Sequence, residues 1–221
     1  EPLIRTWQDK GVPIRQGFGM TEVGVNCFSL PERDALRKIG SIGFPNFYVD
    51  ATVVDEDGDE VPPNTTGELL LRVPVVTPGY WNDPAATDEA IDENGWFHTG
   101  DLVEVDEEGY YYVVGRKHDM FISGGENVYP AEVENVLMGH PGIADVAVIG
   151  VPHPDFGEGI VAVLVGESTL DMEQLEAVCR EKLAGFKVPR RWEQLETLPR
   201  NTMGKVQKNV LRDDYIDSFQ K

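Results

Sequence analysis

Gly115-Arg116-Lys117-His118-Asp119 is the run that decides how this chain is organised. Upstream of it, apolar residues come in short alternating runs separated by turn chemistry, the texture of antiparallel β structure. Tyr48 to Val54 alternates as a strand, Asp57-Gly58 turns it, Gly67 to Val73 forms the next, and Tyr110 to Val114 closes the set. These predict a small β-barrel or a curled antiparallel sheet. Nearer the start, Glu1 to Lys10 reads as the end of an amphipathic helix, and Val12 to Gln16 as a short strand feeding a Gly17-Phe18-Gly19 turn. Asn64-Thr65-Thr66-Gly67 has the look of a phosphate loop, but a strand rather than a lysine follows it, so it reads as a turn.

Downstream of Asp119, helices and strands mix. Pro130 at a first helical position, Val133, Val136 and Leu137 on one face, and Gly139 with Pro141 as stops define a short helix. Asp145 to Val151 and Ile160 to Val165 read as strands. Asp171 to Ala184 reads as a helix capped by Asp171 with Gln174 three positions on, apolar at Met172, Leu175, Val178, Cys179 and Leu183, and ended by Gly185. A last helix is predicted from Lys208 to Phe219. The expectation is an α+β chain of two parts, residues 1–115 and 116–221, with no internal repeat.

Composition narrows the function. In 221 residues, 41% of them apolar, there is material for one large core or two modest ones. No run approaches the roughly 18 apolar residues of a membrane span, and no signal-peptide pattern opens the chain, which reads as cytoplasmic. Cys27 and Cys179 are too few for a disulfide framework, and His98, His118, His140 and His153 lack metal-ligand spacing. A formal net charge of -20 argues against nucleic acid as a partner, because a phosphate backbone is repelled. Only 8 of the 19 basic residues are lysine, and acids run together in Asp55–Glu60 and Glu104–Glu108. A dispersed acidic surface poor in lysine suits a salt-saturated cytoplasm, where screening offsets self-repulsion; the reading is halophilic.

Against this acidic background Lys205, beside Gly204 in Leu198-Pro-Arg-Asn-Thr-Met-Gly-Lys-Val206, is a cation on a Gly-Pro-marked, mobile loop, suited to an anion or else simply solvated. In Gln16-Gly-Phe-Gly-Met-Thr-Glu22, Gly17 and Gly19 let the backbone pass close to a ligand. Phe18 offers a flat face for a base, Thr21 a hydroxyl for a phosphate oxygen and Glu22 a carboxylate for Mg²⁺. The competing reading is a tight turn with Thr21 as a helix N-cap. Asp101, exposed by Gly100 in Trp96-Phe-His-Thr-Gly-Asp101, suits two ribose hydroxyls or a turn cap. On local grounds Arg116 is a surface ion-pair partner, and Gly124-Gly125 an ordinary turn.

These segments, in this order, resemble the acyl-adenylate-forming superfamily of acyl-CoA synthetases, luciferases and peptide-synthetase adenylation domains. The resemblance implies that residues 1–115 end a large AMP-binding domain with a β-barrel part, and that 116–221 are its small C-terminal domain. It further implies that Phe18 stacks on adenine, Thr21 binds the adenylate phosphate, Glu22 ligates Mg²⁺, Asp101 holds the ribose and Arg116 the ribose and phosphate edge. Lys205 would serve adenylation, and Gly124 would leave room for a pantetheine arm. His118 stands where the family usually has Asp or Lys at the pivot, so the hinge falls on His118 or Asp119. The partners implied are ATP, a carboxylic acid and coenzyme A. The segments 150–159 and 199–211 look like those of fatty-acyl-CoA and malonyl-CoA synthetases; a carrier-protein-loading adenylation domain and a non-catalytic binding module are the alternatives. The family's Ser/Thr/Gly-rich phosphate loop is absent from these residues, so the chain reads as a C-terminal fragment, inactive alone in adenylation.

Overall fold

Seven antiparallel strands dominate the first of two units, Glu1–Lys117 and His118–Lys221, in the computed structural model, which describes residues 2–168 and 170–220. After helix α1 (Pro2–Asp9) come β1 (Gly17–Met20), β2 (Gly24–Ser29), β3 (Ser41–Pro45), β4 (Asp50–Val54) and β5 (Gly67–Arg72). Helix α2 (Pro84–Ala90), β6 (Phe97–Val105) and β7 (Tyr111–Arg116) complete the unit. The strand order is β1-β2-β3-β7-β6-β5-β4. Alternation places Leu69 and Leu71 of β5 on one face, where they meet Phe28, Val53, Phe97 and Val103 in a closed core.

The expected barrel does not close; the sheet stays open, with β1 and β4 as its edges. Edge β1 is only four residues long and slips register between Phe18 and Met20. Edge β4 runs into the exposed acidic turn at Asp55–Glu60. Short, irregular and charged edges offer no continuous ladder to one another. The first-unit strand boundaries differ as well. Val12 to Gln16 forms no strand, and the glycine run expected as a turn is itself β1.

Gly43 shows why this sheet needs glycine at one crowded point. Its φ is 87°, and a Cβ there would lie 2.1 Å from the Ser29 carbonyl oxygen on β2. Gly43→Ala therefore combines a left-handed residue with overpacking, and a loss of about 2 kcal/mol is expected in urea unfolding. An unchanged midpoint would contradict this packing. Close by, since Gly43 is opposite Tyr111 across β3 and β7, buried Asp34 accepts the Tyr110 hydroxyl at 2.8 Å and Arg37 at 3.0 Å, and Lys38 pairs with Asp106 at 2.6 Å. These bonds tie the 32–38 segment to the turn between β6 and β7.

The second unit has β8 (Phe121–Ser123), β9 (Glu126–Val128), α3 (Pro130–Met138), β10 (Ile143–His153) and β11 (Gly157–Gly166). It continues with α4 (Met172–Lys182), β12 (Arg191–Gln194) and α5 (Lys208–Asp214). Its sheet runs β10-β11-β8-β9, with β12 parallel to β11. Alternate residues of the β10–β11 hairpin feed two cores. Val146, Val148, Ile160 and Ala162 pack with Val133 and Leu137 of α3 and Leu175 and Cys179 of α4. Ala147, Ile149, Val161 and Val163 pack with Leu211 of α5. Burial on both faces is why these strands read as unbroken apolar runs. Asp171 caps α4, accepting from the backbone of Glu173 and Gln174 at 3.0 and 3.2 Å. Helix α5 stops at Asp214, short of the expected Phe219, and β12 and α2 were not expected from sequence. No helix among the described residues is long and apolar enough to cross a membrane.

Candidate functional site

Strands β1 and β2 form a hairpin whose turn, Thr21 to Val23, is closed by Gly24 at φ 97°. No helix follows Thr21, which removes its reading as an N-cap. The glycines of β1 serve the neighbouring strand: a Cβ on Gly19 would lie 2.3 Å from the Val25 carbonyl carbon, and one on Gly17 2.8 Å from the Phe28 carbonyl oxygen. Both positions are therefore crowded against β2. Phe18 is half-buried and stands edge-on to Phe28 with centroids 5.9 Å apart. Thr21 is exposed on the turn. Glu22 accepts the Tyr80 hydroxyl at 3.2 Å, and its carbonyl receives the Thr77 amide at 2.7 Å. Burial, then the Glu22 charge, pushes the Tyr80 phenol above its ordinary range. Tyr80 had no part in the sequence reading, since a lone tyrosine 58 residues from its partner leaves no local pattern.

Asp101 and Arg116 are brought together by the β6–β7 ladder, in which they are opposite one another. Asp101 is 4% exposed, and Arg116 Nε lies 3.0 Å from its Oδ1. Gly100, at φ 67°, precedes it in a bulge, and the Asp101 amide donates to Thr99 Oγ1 at 3.0 Å. Asp101 is thus a buried strand residue. Arg116, half-exposed, is an ion-pair partner whose partner is the other candidate ribose residue.

The remaining candidates belong to the second unit, each on its own element. His118 is exposed, and the Asp119 carbonyl accepts from Arg212 at 3.5 Å. Gly124 and Gly125, at φ 65° and 87°, make the two-residue turn between β8 and β9, the left-handed pair a tight hairpin requires. The Gly124 amide donates to Phe156 O at 2.9 Å. The Lys205 loop, expected to be mobile, is braced. Asn201 Oδ1 accepts from the amides of Met203 and Lys205 at 3.0 and 2.9 Å, and the Asn201 amide donates to Lys205 O at 2.9 Å. Arg200 donates to the Gly204 carbonyl and pairs with Asp145. Lys205 itself is exposed, with no salt bridge to a carboxylate among the described residues. A hydrogen-bonded loop carrying a cation with no carboxylate partner among the described residues is a suitable anion contact.

No group of three or more His, Cys, Asp or Glu able to hold a metal occurs among the described residues. Mg²⁺ needs no such cage, since it is commonly held by one or two carboxylates and substrate phosphates. Glu22, half-buried and unpaired with any cation in the described salt bridges, offers a hard-oxygen donor of that kind.

Comparison with known proteins finds relatives of the chain. The AMP-binding enzyme model matches residues 1–81, and the AMP-binding enzyme C-terminal domain model matches residues 132–205. A feruloyl-CoA synthase of Amycolatopsis is 45% identical over 212 residues, 95% of this chain and 43% of that protein. A long-chain-fatty-acid--CoA ligase of Mycobacterium tuberculosis is 42% identical over 222 residues, all of this chain and 44% of its own length. Among solved structures, o-succinylbenzoate CoA synthetase from Bacillus subtilis, in complex with its acyl-adenylate intermediate, matches with TM-score 0.90 at 38% identity. That match covers 96% of this chain and 43% of the other. The chain therefore spans less than half the length of the relatives it matches.

Proposed function

Because the chain belongs to the AMP-binding enzymes, whose two models together match more than half of it, we propose that the whole protein is an AMP-forming carboxylic acid:CoA ligase. The observation that carries this reading is the similarity, across nearly the whole chain, to CoA ligases and to a synthetase solved with its acyl-adenylate. In the first half-reaction a carboxylate oxygen attacks the α-phosphorus of ATP, the bond to the β-phosphate oxygen breaks, and acyl-adenylate and pyrophosphate result. In the second, the thiol of coenzyme A attacks the acyl carbon, AMP leaves, and the thiol proton passes to solvent.

Residues 1–115 serve as the end of the large domain and 116–221 as the small one. Phe18 supports the adenine, Thr21 contacts the phosphate, and Asp101 with Arg116 holds the ribose. Glu22 holds Mg²⁺, which when bound offsets phosphate charge. Lys205 supplies positive charge in the first half-reaction, Gly124 leaves room for the pantetheine arm in the second, and His118 with Asp119 is the pivot between them. A ligase of this kind works where ATP and coenzyme A are found, in the cytoplasm.

The acid we favour is a fatty acid, from the likeness of segments 150–159 and 199–211 to fatty-acyl-CoA synthetases and from the Mycobacterium tuberculosis relative. Pyrophosphate release by the whole protein with long-chain fatty acids, malonate, ferulate and 2-succinylbenzoate decides it. Turnover confined to an aromatic acid removes the fatty-acid assignment, and none with any acid removes the ligase reading.

The charge of -20 supports a halophilic setting as well. The melting temperature is expected to rise between dilute buffer and molar salt, as screening relieves self-repulsion. A melt that does not move with salt removes this reading.

A further inference from the structure

Glu68 on β5 is 8% exposed, and the proposed chemistry gives it no role. Its surroundings are unusual for a strand residue. Between β5 and β6 the ladder passes from Glu68↔Leu102 to Leu70↔His98, so β6 carries extra residues, Thr99 to Asp101, opposite Leu69. A bulge of this kind interrupts the ladder and re-aims side chains. The bonds it breaks are replaced from β5. Leu69 O accepts the Thr99 hydroxyl at 2.7 Å, and Glu68 Oε1 accepts the Gly100 amide at 3.2 Å.

The other oxygen of the same carboxylate reaches past β6 to the end of β7. Glu68 Oε2 accepts the Lys117 ammonium at 2.9 Å, and His98 Nδ1 lies 3.6 Å away. The Lys117 amide in turn donates to Gly100 O at 2.8 Å, forming the last rung beyond the Asp101↔Arg116 pair. One buried carboxylate therefore bridges Gly100 and Lys117, the immediate neighbours of Asp101 and Arg116. Burial by itself raises the Glu68 pKa; the Lys117 hydrogen bond and charge, the His98 charge and the Gly100 amide outweigh it and hold the group below its ordinary value. The clamp is thus ionised at neutral pH.

We propose that Glu68 is a positioning residue, clamping the β6 bulge and the end of β7 so that Asp101 and Arg116 are presented together to a ribose and Lys117 stays bound to the first unit, leaving His118 as the first residue free to turn. The clamp itself stands on the contacts of Glu68; its use for a ribose rests on the function proposed above.

Two arms of one experiment test the two parts. Glu68→Gln retains a carbonyl oxygen for the Gly100 amide and removes the charge, and Lys117→Met removes the same ion pair from the other side. In the first arm, amide hydrogen exchange at Asp101 and residue 117 is followed in the intact chain, with trypsin cleavage of the Lys117–His118 bond in Glu68→Gln. Exchange and cleavage about tenfold faster than in the wild type are expected, with amides of β4 and β5 unchanged, because a charge-assisted bond no longer closes the local opening. Wild-type exchange at both positions in both variants overturns the clamp. In the second arm, AMP and 2′,3′-dideoxy-AMP are titrated calorimetrically. The wild-type preference for AMP is expected to fall about tenfold in Glu68→Gln, since a misplaced Asp101 loses the hydroxyls. Full retention of that preference, with the local opening present, overturns the positioning role. A wild type that does not distinguish the two ligands contradicts the nucleotide assignment instead, and the first arm still decides the clamp.

Discussion

Asp101→Ala in the whole protein is expected to weaken nucleotide binding in both half-reactions, because the ribose is held throughout. Two hydrogen bonds to a carboxylate are lost, each worth roughly 1.5 to 3 kcal/mol. The structure adds a second consequence. Asp101 is 4% exposed and pairs with Arg116 across the β6–β7 ladder, so its removal leaves the guanidinium without the partner that orients it. Asp101→Asn separates the effects: it keeps the size and one acceptor while losing the charge, and should fall between Ala and wild type. The apparent KM for ATP and the affinity for AMP are the measurements. If both stay at wild-type values while the melting temperature drops, Asp101 serves only the ladder.

Lys205→Ala is expected to slow adenylate formation by about 10² to 10³, the usual worth of a preorganised cation where charge develops on phosphate oxygens. Conversion of supplied acyl-adenylate to acyl-CoA should remain near normal. The loop geometry makes this a clean substitution. Asn201 holds the turn through backbone atoms of Met203 and Lys205, and Arg200 through the Gly204 carbonyl, so the loop does not depend on the lysine side chain. Single-turnover measurement of each half-reaction is the check, and equal losses in both would mark Lys205 as structural.

Both substitutions act at positions that the sequence singles out, while what surrounds such positions is set by the folded chain. Gly17 and Gly19 look, as letters, like room for a ligand. In the structure a Cβ at either would meet the backbone of β2. The glycines are therefore required by the β1–β2 hairpin itself. Asp101 and Arg116 lie far apart as letters, and the β6–β7 ladder makes them an ion pair. Tyr80 and Glu68 escaped notice because an isolated tyrosine or glutamate in a strand-rich stretch carries no signal until its distant partners are in place.

What the sequence determined by itself is what acts over a few residues: the start of α3 at Pro130, the Asp171 cap of α4, the alternation of β4, the apolar runs of β5, β10 and β11, the α+β class, and the motifs that mark the family. Capping, turn chemistry and period are local, so they survive in the letters. Tertiary structure alone decided that the first sheet stays open, that β12 joins β11 in parallel, that β6 bulges at Gly100, and that one carboxylate on β5 reaches the end of β7. Each of these depends on the register between strands far apart in the chain, and on which groups lose water together. Register and shared desolvation are properties of pairs of segments, not of any one of them.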